Sequence, residues 1–248
     1  MLLEKTSLND SPVRLLFGVD SKSRADVLLQ NNIDLFEWIV RNKVYPSFFV
    51  RNLNGENCLT TEEIAFLHHK GCRIAVSCVD QGEKNTDEEG ELYAQEVVSK
   101  AIELNIPKET AIYLELGEQD HFNHMYMRGF AKYLLNEGYT PGFKANTDAK
   151  FGFDREYSRG MRTDRDIFGK CLVWALAPTL EDYDGITSTH LIQPENWKPF
   201  APSGITRRDI ALWRYGKDCH PIEDIQENRT SFNLNLVRNE EIITKKMF

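Results

Sequence analysis

The sequence has few cysteines, and none of them has the spacing of a metal or redox motif. Five cysteines are scattered through 248 residues, and no Cys-x-x-Cys pair occurs. An odd, dispersed set does not suit a disulfide framework or a zinc knuckle. We therefore expect reduced, mostly buried thiols.

Long apolar runs and concentrated positive charge are also missing. No stretch is long enough to span a bilayer, and the first ten residues lack the apolar core of a signal peptide. The formal net charge is -8, with no basic patch among aromatics, so neither membrane nor nucleic acid is an expected partner. We expect a cytoplasmic location as synthesised, while signal-independent release and the oligomeric state stay open.

Common catalytic signatures are absent too. The chain has no Gly-x-Ser-x-Gly elbow, phosphate-binding loop or cysteine-protease signature, and nothing in it calls for a cofactor. It does have 41% hydrophobic and 11% aromatic residues, which is enough for a sizeable core.

Strand-like apolar runs alternate with amphipathic helical patterns, most regularly in the first half. Eight strand candidates recur along the chain: Leu15–Asp20, Ser47–Asn52, Cys72–Val79, Ala111–Glu115, Thr140–Asn146, Leu172–Ala177, Ile210–Tyr215 and Ser231–Val237. An open doubly wound sheet is disfavoured, because no glycine-rich turn follows the first strand. The sequence predicts one α/β domain over 1–248, a (β/α)₈ TIM barrel with a core of about 14–237 and short or irregular late helices.

Local signals mark some connections. Thr60 to Glu63 has the pattern of a capping box and predicts a helix start. The acidic segment from Glu83 to Glu91 is expected to be a solvated loop. A final helix is expected within 238–248.

The fourth strand candidate runs into carboxylates. Glu115, Glu118 and Asp120 follow the apolar residues that begin at Ala111. A desolvated carboxylate needs a partner or a function, and the C-terminal strand ends of a TIM barrel are where such groups do chemistry. An exposed loop with solvated acids is the simpler alternative.

Several motifs in shared order resemble the glycoside-hydrolase-like barrel family related to family-25 lysozymes. They cover most of the chain, from about Phe17 to Val237: Phe17-Gly-Val-Asp20, Phe49-Val-Arg-Asn-Leu53, Leu59-Thr-Thr-Glu-Glu63, Gly71-Cys-Arg-Ile74, Asn105-Ile-Pro-Lys108 with Ala111-Ile-Tyr-Leu-Glu115, Gly138-Tyr-Thr-Pro-Gly142 and Leu212-Trp-Arg-Tyr215. The resemblance implies a TIM barrel that cleaves amino-sugar polymers such as peptidoglycan.

The resemblance also implies site residues, with two departures. Asp20 matches the family's first-strand aspartate, and Glu115 matches the first member of its strand-four Asp-x-Glu pair. The second member falls on Gly117, and strand eight carries Asn233 where relatives often have an aspartate. Two expected acidic positions are therefore neutral.

A glycosidase needs two carboxyl groups in different protonation states. We assign Glu115 as proton donor and Asp20 as counter-charge or base, with Glu118 or Asp80 as support. For Asp20, an ion pair with Arg214 or another cation in the barrel mouth is an equal alternative.

Aromatic residues on the strands are candidates for stacking against sugar rings. We assign Tyr113, Trp174, Trp213 and Tyr215 to substrate binding, although aromatics on strands more often belong to the core. Trp213 and Tyr215 share one face of the strand, and Arg214 lies on the other. Without a bulge, the mouth can therefore receive either Arg214 or the two aromatic residues, but not all three.

Two readings of function remain. The leading one is a carbohydrate-active hydrolase, acting on a glycan or small-molecule ligand in the barrel mouth. The alternative is a catalytically silent barrel that binds a glycan or a protein partner. A metal site at Asp120, His121 and His124 is disfavoured, because polar residues at a helix start are usually caps.

Overall fold

Eight strands close into a barrel in which neighbours in the chain are neighbours in the sheet. The computed structural model describes residues 15–29, 32–42, 45–82, 84–118, 121–181, 194–220 and 230–248. The strands are β1 Leu16–Ser21, β2 Phe48–Asn52, β3 Arg73–Val79, β4 Ala111–Leu116, β5 Thr140–Ala145, β6 Leu172–Ala175, β7 Ile210–Cys219 and β8 Phe232–Val237. The predicted α/β barrel is confirmed.

Along the residues that the structure describes, seven helices accompany these strands. They are α1 Leu35–Arg41, α2 Thr61–His69, α3 Asp87–Glu103, α4 His124–Asn136, α5 Gly152–Thr163, α6 Arg165–Phe168 and α7 Glu240–Lys246. Within the described ranges, no helix is both long and apolar enough to cross a bilayer. The extent of the domain over 1–248 stays a prediction, since residues 1–14 lie outside the described ranges.

Strand β8 departs from the all-parallel pattern. β1 to β7 pair in parallel, whereas β8 is antiparallel to both β7 and β1. In this register Asn233 lies opposite Asp20. The start of β8, and not its end, therefore lies at the C-terminal end of the barrel.

Side chains alternate between the barrel interior and the layer under the helices, as the period of two requires. One buried cluster fills the interior, including Phe48, Tyr113 and Trp174. Residues one position away, such as Phe49 and Leu114, belong to the cluster that packs against the helices. Helix α7 adds Ile243 and Met247 to the interior cluster, alongside the N-terminal residue of β4, Ala111, and so covers the end opposite the mouth.

Two helix starts differ from the sequence prediction. Thr60 accepts a hydrogen bond from the Glu63 backbone N–H at 3.3 Å, but the Glu63 carboxylate is used elsewhere, so the predicted capping box is half formed. A complete capping box joins Thr86 and Glu89 and starts α3 at Asp87. The predicted loop through Glu91 is therefore wrong from Asp87 onward, because the box and the acidic first turn stabilise a helix there. Helix α5 was not predicted.

A buried ion pair fixes the loops on one side of the barrel mouth. Arg51 Nε lies 2.7 Å from Glu63 Oε1, and neither side chain is exposed. Arg51 also donates to the carbonyls of Ser21 and Asn57, and the backbone N–H of Ala25 donates to Glu63. Burial is the largest influence on the Glu63 carboxyl group and raises its pKa, although Arg51 opposes this effect. Breaking such a pair leaves an uncompensated charge, so Arg51 ties the loops after β1 and β2 to α2.

Helices α3 and α4 touch backbone to backbone. A Cβ built at Gly129 would lie 1.9 Å from the Asp87 carbonyl oxygen, and one at Gly90 would lie 2.1 Å from that of Tyr126. These distances are far below any van der Waals contact. Only glycine permits this approach of the two helices.

We predict that Gly129→Ala destabilises the protein by about 1–3 kcal/mol or more, because the added methyl overpacks two backbones. Gly152→Ala in α5 is the matched control, since its Cβ would meet only an Arg155 atom at 3.8 Å. Its effect is expected to be neutral or slightly stabilising. Urea denaturation of both variants checks this, and equal stabilities would contradict the close helix contact.

Candidate ligand-binding site at the barrel mouth

A polar cavity of about 210 Å³ opens at the C-terminal ends of the strands. Its lining comes from β1, β2, β4, β5, β7 and β8 or the residues just after them. The lining side chains are all polar: Asp20, Lys22, Asn52, Glu115, Lys144, Arg214, Lys217, Asp218 and Asn233. The cavity therefore offers hydrogen bonds and charges without an aromatic wall.

Lys144 lies at the centre of this set. Its Nζ is 2.9 Å from Asp20 Oδ2 and 3.0 Å from Glu115 Oε2. The two carboxylate oxygens therefore lie within about 6 Å of each other. The structure thus brings Asp20 and Glu115 together around one cation. Asp20 forms an ion pair in the mouth, as the alternative prediction had it, and its partner is Lys144.

Further contacts hold this ion triad in place. Asn233 Nδ2 donates to Asp20 Oδ2 at 3.1 Å. Lys144 Nζ also lies 4.3 Å from the centroid of the Trp174 ring, whose indole N–H donates to Asn235 at 3.0 Å. A desolvated ammonium over an aromatic face is stabilised by the ring quadrupole.

The charge of Lys144 is secured by its two carboxylates. Burial acts to lower the pKa of Lys144, but attraction to Asp20 and Glu115 and the hydrogen bonds to both outweigh it, so the pKa is raised. Side-chain exposure is 4% for Lys144 and 8% for Asp20, against 32% for Glu115. Of these three side chains, only Glu115 is substantially open to a ligand.

Strand register explains why these residues meet. Glu115 pairs with Lys144 across β4 and β5, and Tyr113 pairs with Gly142 one layer deeper. A Cβ at Gly142 would lie 2.4 Å from the Tyr113 ring, so the missing side chain makes room for that ring.

Tyr113 and Trp174 form the floor beneath the mouth. Both are fully buried, and their rings meet edge to face with centroids 5.7 Å apart. Burial raises the pKa of the Tyr113 hydroxyl. Trp174 contacts Lys144 from below and Tyr113 packs against Trp174, but neither lines the cavity, which differs from the predicted stacking role.

Glu118 and Asp80 lie away from this cavity. Glu118 accepts a hydrogen bond from Asn146 at 2.5 Å and borders a separate small cleft. Asp80 accepts from the Tyr126 hydroxyl and from the Gly82 backbone N–H. The structure does not bring either carboxylate to the Asp20–Glu115 pair.

Trp213 and Tyr215 face the helices and not the mouth. Both are fully buried in the outer core, and the Trp213 indole N–H donates to the Pro178 carbonyl at 3.0 Å. Arg214 between them lines the cavity, as strand alternation requires. The structure therefore does not place Trp213 and Tyr215 on the wall of this cavity.

His124, one of the residues of the disfavoured metal site, lies beside the carboxylate of Glu156. His124 Nδ1 lies 3.4 Å from Glu156, which is also held by Arg155 at 2.8 Å. Burial acts to raise the pKa of Glu156, but hydrogen bonds from the Arg155 side chain and the His124 backbone N–H, with the charges of Arg155 and Arg159, lower it overall. Asp120 lies outside the described residues, and among those described no three His, Cys, Asp or Glu side chains gather as a metal site would need.

Sequence reasoning missed the cations of the mouth. Lys144 carried one signal, a lysine between the apolar residues Phe143 and Ala145 of a strand. The exposed Lys22 and Lys217 carried none, because charged residues after strands are common at any surface.

Comparisons with known proteins identify the fold. No family model matches the chain, and no curated protein matches it. A crystal structure of an uncharacterized B. stearothermophilus protein has a TM-score of 0.75 and 20% identity, over 94% of this chain and 100% of that one.

Two solved structures of named proteins are also similar. The catalytic domain of endolysin ply40 from bacteriophage P40 of Listeria monocytogenes has a TM-score of 0.54 and 16% identity, over 94% of this chain and 97% of that one. The bacterial lysozyme from Streptomyces coelicolor has a TM-score of 0.51 and 8% identity, over 90% and 92%. The resemblance to lysozyme-related barrels is thus confirmed at the level of fold.

We predict that Lys144→Met lowers the free energy of unfolding by about 3 kcal/mol, because it leaves two carboxylates together without their cation. The double variant with Asp20→Asn should recover part of this loss. Exposed Lys150→Met is the matched control, with an expected change below about 0.5 kcal/mol. Urea denaturation at neutral pH measures all three.

The stability difference between wild type and Lys144→Met should also depend on pH. Because the pKa of Lys144 is raised in the folded state, its stabilising contribution is complete below the ordinary value of 10.5 and is lost as pH rises through the folded value. The stability gap between wild type and Lys144→Met should therefore be constant from neutral pH to about pH 10 and narrow above 10.5. A gap that narrows on acidifying from pH 9 to pH 7 would contradict this.

Proposed function

We propose that the barrel mouth binds a glycan and that Asp20 and Glu115 do not work as a glycosidase acid–base pair. The observation that carries this proposal is the position of Lys144 Nζ, within 3.0 Å of both carboxylates. The protein is then a carbohydrate-binding barrel without turnover.

The chemistry of the pair supports this view. A glycosidase proton donor must hold its proton until the leaving oxygen takes it. Here Lys144 Nζ, at 2.9 and 3.0 Å, occupies the contact that each carboxyl group would need to offer a leaving oxygen. Gly117, at the second position of the family's acidic pair, supplies no other proton donor.

The fold and the cavity support a glycan as the ligand. The endolysin catalytic domain and the bacterial lysozyme share this barrel. The cavity lies at the C-terminal strand ends, where ligands of such barrels bind. Its amide, carboxylate and cationic groups match the hydroxyl and amide groups of amino sugars.

Hydrolysis is the second candidate, favoured by one observation. The Asp20 and Glu115 oxygens lie within about 6 Å of each other, near the separation of about 5–5.5 Å between the carboxyl groups of retaining glycosidases. With 32% of its side chain exposed, Glu115 is also accessible to a substrate.

The test measures binding and cleavage on the same material. We predict that the purified protein cosediments with peptidoglycan sacculi but neither clears their turbidity nor releases reducing sugar. Glu115→Gln should weaken cosedimentation, because it removes the charge of the one accessible carboxylate in the pair that Lys144 holds. Arg162→Gln, on the outer helix α5, is the control and should bind as wild type does.

Two results would contradict the proposal. Turbidity clearance by wild type that Asp20→Asn and Glu115→Gln both abolish would establish hydrolysis by this pair. Absence of cosedimentation would remove peptidoglycan as the ligand.

A further inference from the structure

We infer that the mouth selects a ligand carrying an anionic group, a carboxylate or a phosphate, and that Arg214 binds this group. That the ligand is a glycan rests on the proposed function. The inference adds that this glycan carries a negative charge. An acidic or phosphorylated sugar is therefore the expected ligand class.

The charge of the cavity runs against the charge of the whole chain. The chain has a formal net charge of -8, yet four cationic and three anionic side chains line the mouth. Asp20 and Glu115 are both engaged by Lys144, and Lys217 lies 3.6 Å from Asp218. Lys22 and Arg214 are then left without a carboxylate partner among the described residues.

Arg214 has a particular need for a partner. Its Nε is buried and makes no hydrogen bond within the described part of the chain. A buried donor left unpaired is costly, and Arg214 lines the mouth, where a bound anion would neutralise its charge. Because Trp213 and Tyr215 fix the outward face of β7, the Arg214 side chain is committed to the mouth.

Guanidinium geometry defines the class of ligand group. Its N–H donors form a rigid planar fork that matches the two oxygens of a carboxylate or phosphate. The cavity volume of about 210 Å³ is below the roughly 300–1,000 Å³ of sites for drug-sized ligands. The mouth therefore suits one charged ring or substituent and not a length of chain.

The experiment compares ligands that differ only in charge. D-glucuronate and D-glucose form a matched pair, and inorganic phosphate tests the second anion source, each titrated into the 248-residue protein and followed by NMR. We expect saturable binding of glucuronate, of phosphate or of both, weaker at higher salt, and no saturation by glucose at the same concentrations. Glucuronate alone would identify a carboxylate ligand, and phosphate alone a phosphate ligand.

Variants assign the binding to Arg214. Arg214→Gln should weaken anion binding at least about tenfold, and Lys22→Gln by a smaller factor. Arg214→Lys keeps the charge but loses the fork and should fall between wild type and Arg214→Gln. The control Arg162→Gln removes one positive charge far from the mouth and should leave the affinity unchanged. If Arg214→Gln does not fold, Arg214→Lys and exposed Lys22→Gln decide the test.

The outcomes separate this inference from the proposed function. Anions that bind no better than glucose, or equally well to the Arg214 and Lys22 variants as to wild type, would overturn it. If sacculi still cosediment with the protein in that case, glycan binding stands and only anion selectivity fails. Arg214-dependent anion binding without cosedimentation would instead support the selectivity and remove peptidoglycan as the ligand.

Discussion

The mouth of this barrel depends on one buried ammonium group shared by two carboxylates. Lys144 neutralises Asp20 and Glu115 at 2.9 and 3.0 Å, and it rests on the face of Trp174. Without the cation, two acids would converge in a partly desolvated pocket, which is costly. With it, the pocket is stable as folded, but both acids are tied to the same cation.

The rest of the architecture serves this arrangement. The antiparallel β8 lies opposite β1 with Asn233 beside Asp20, where its amide donates a second hydrogen bond to the carboxylate. A neutral amide fits this place because Lys144 already supplies the positive charge and another carboxylate would add repulsion. Around the rim, buried Arg51 fixes the loops after β1 and β2. The mouth is thus preorganised by contacts that involve no ligand.

This chain shares its fold with lysozyme-related barrels, while its strand ends carry their own set of residues. The chain has the barrel of a bacterial lysozyme and an endolysin catalytic domain, at identities of 8% and 16%. A barrel holds its strands through interior packing and backbone pairing, so residues at the strand ends can change without loss of the fold. Here those ends carry Lys144, Arg214 and Asn233, and the cavity they line is rich in cations.

The sequence by itself determined the barrel, because each strand is a local apolar run and the motifs stand in a shared order along the chain. It also placed Asp20 and Glu115 at strand ends, since period-two alternation is a local property. Only the tertiary structure decided what these acids contact. The ion pair between Asp20 and Lys144 joins residues 124 positions apart, and no local pattern encodes it. The same holds for the outward direction of Trp213, which the closure of the barrel fixed, and for the antiparallel course of β8, which long-range pairing fixed.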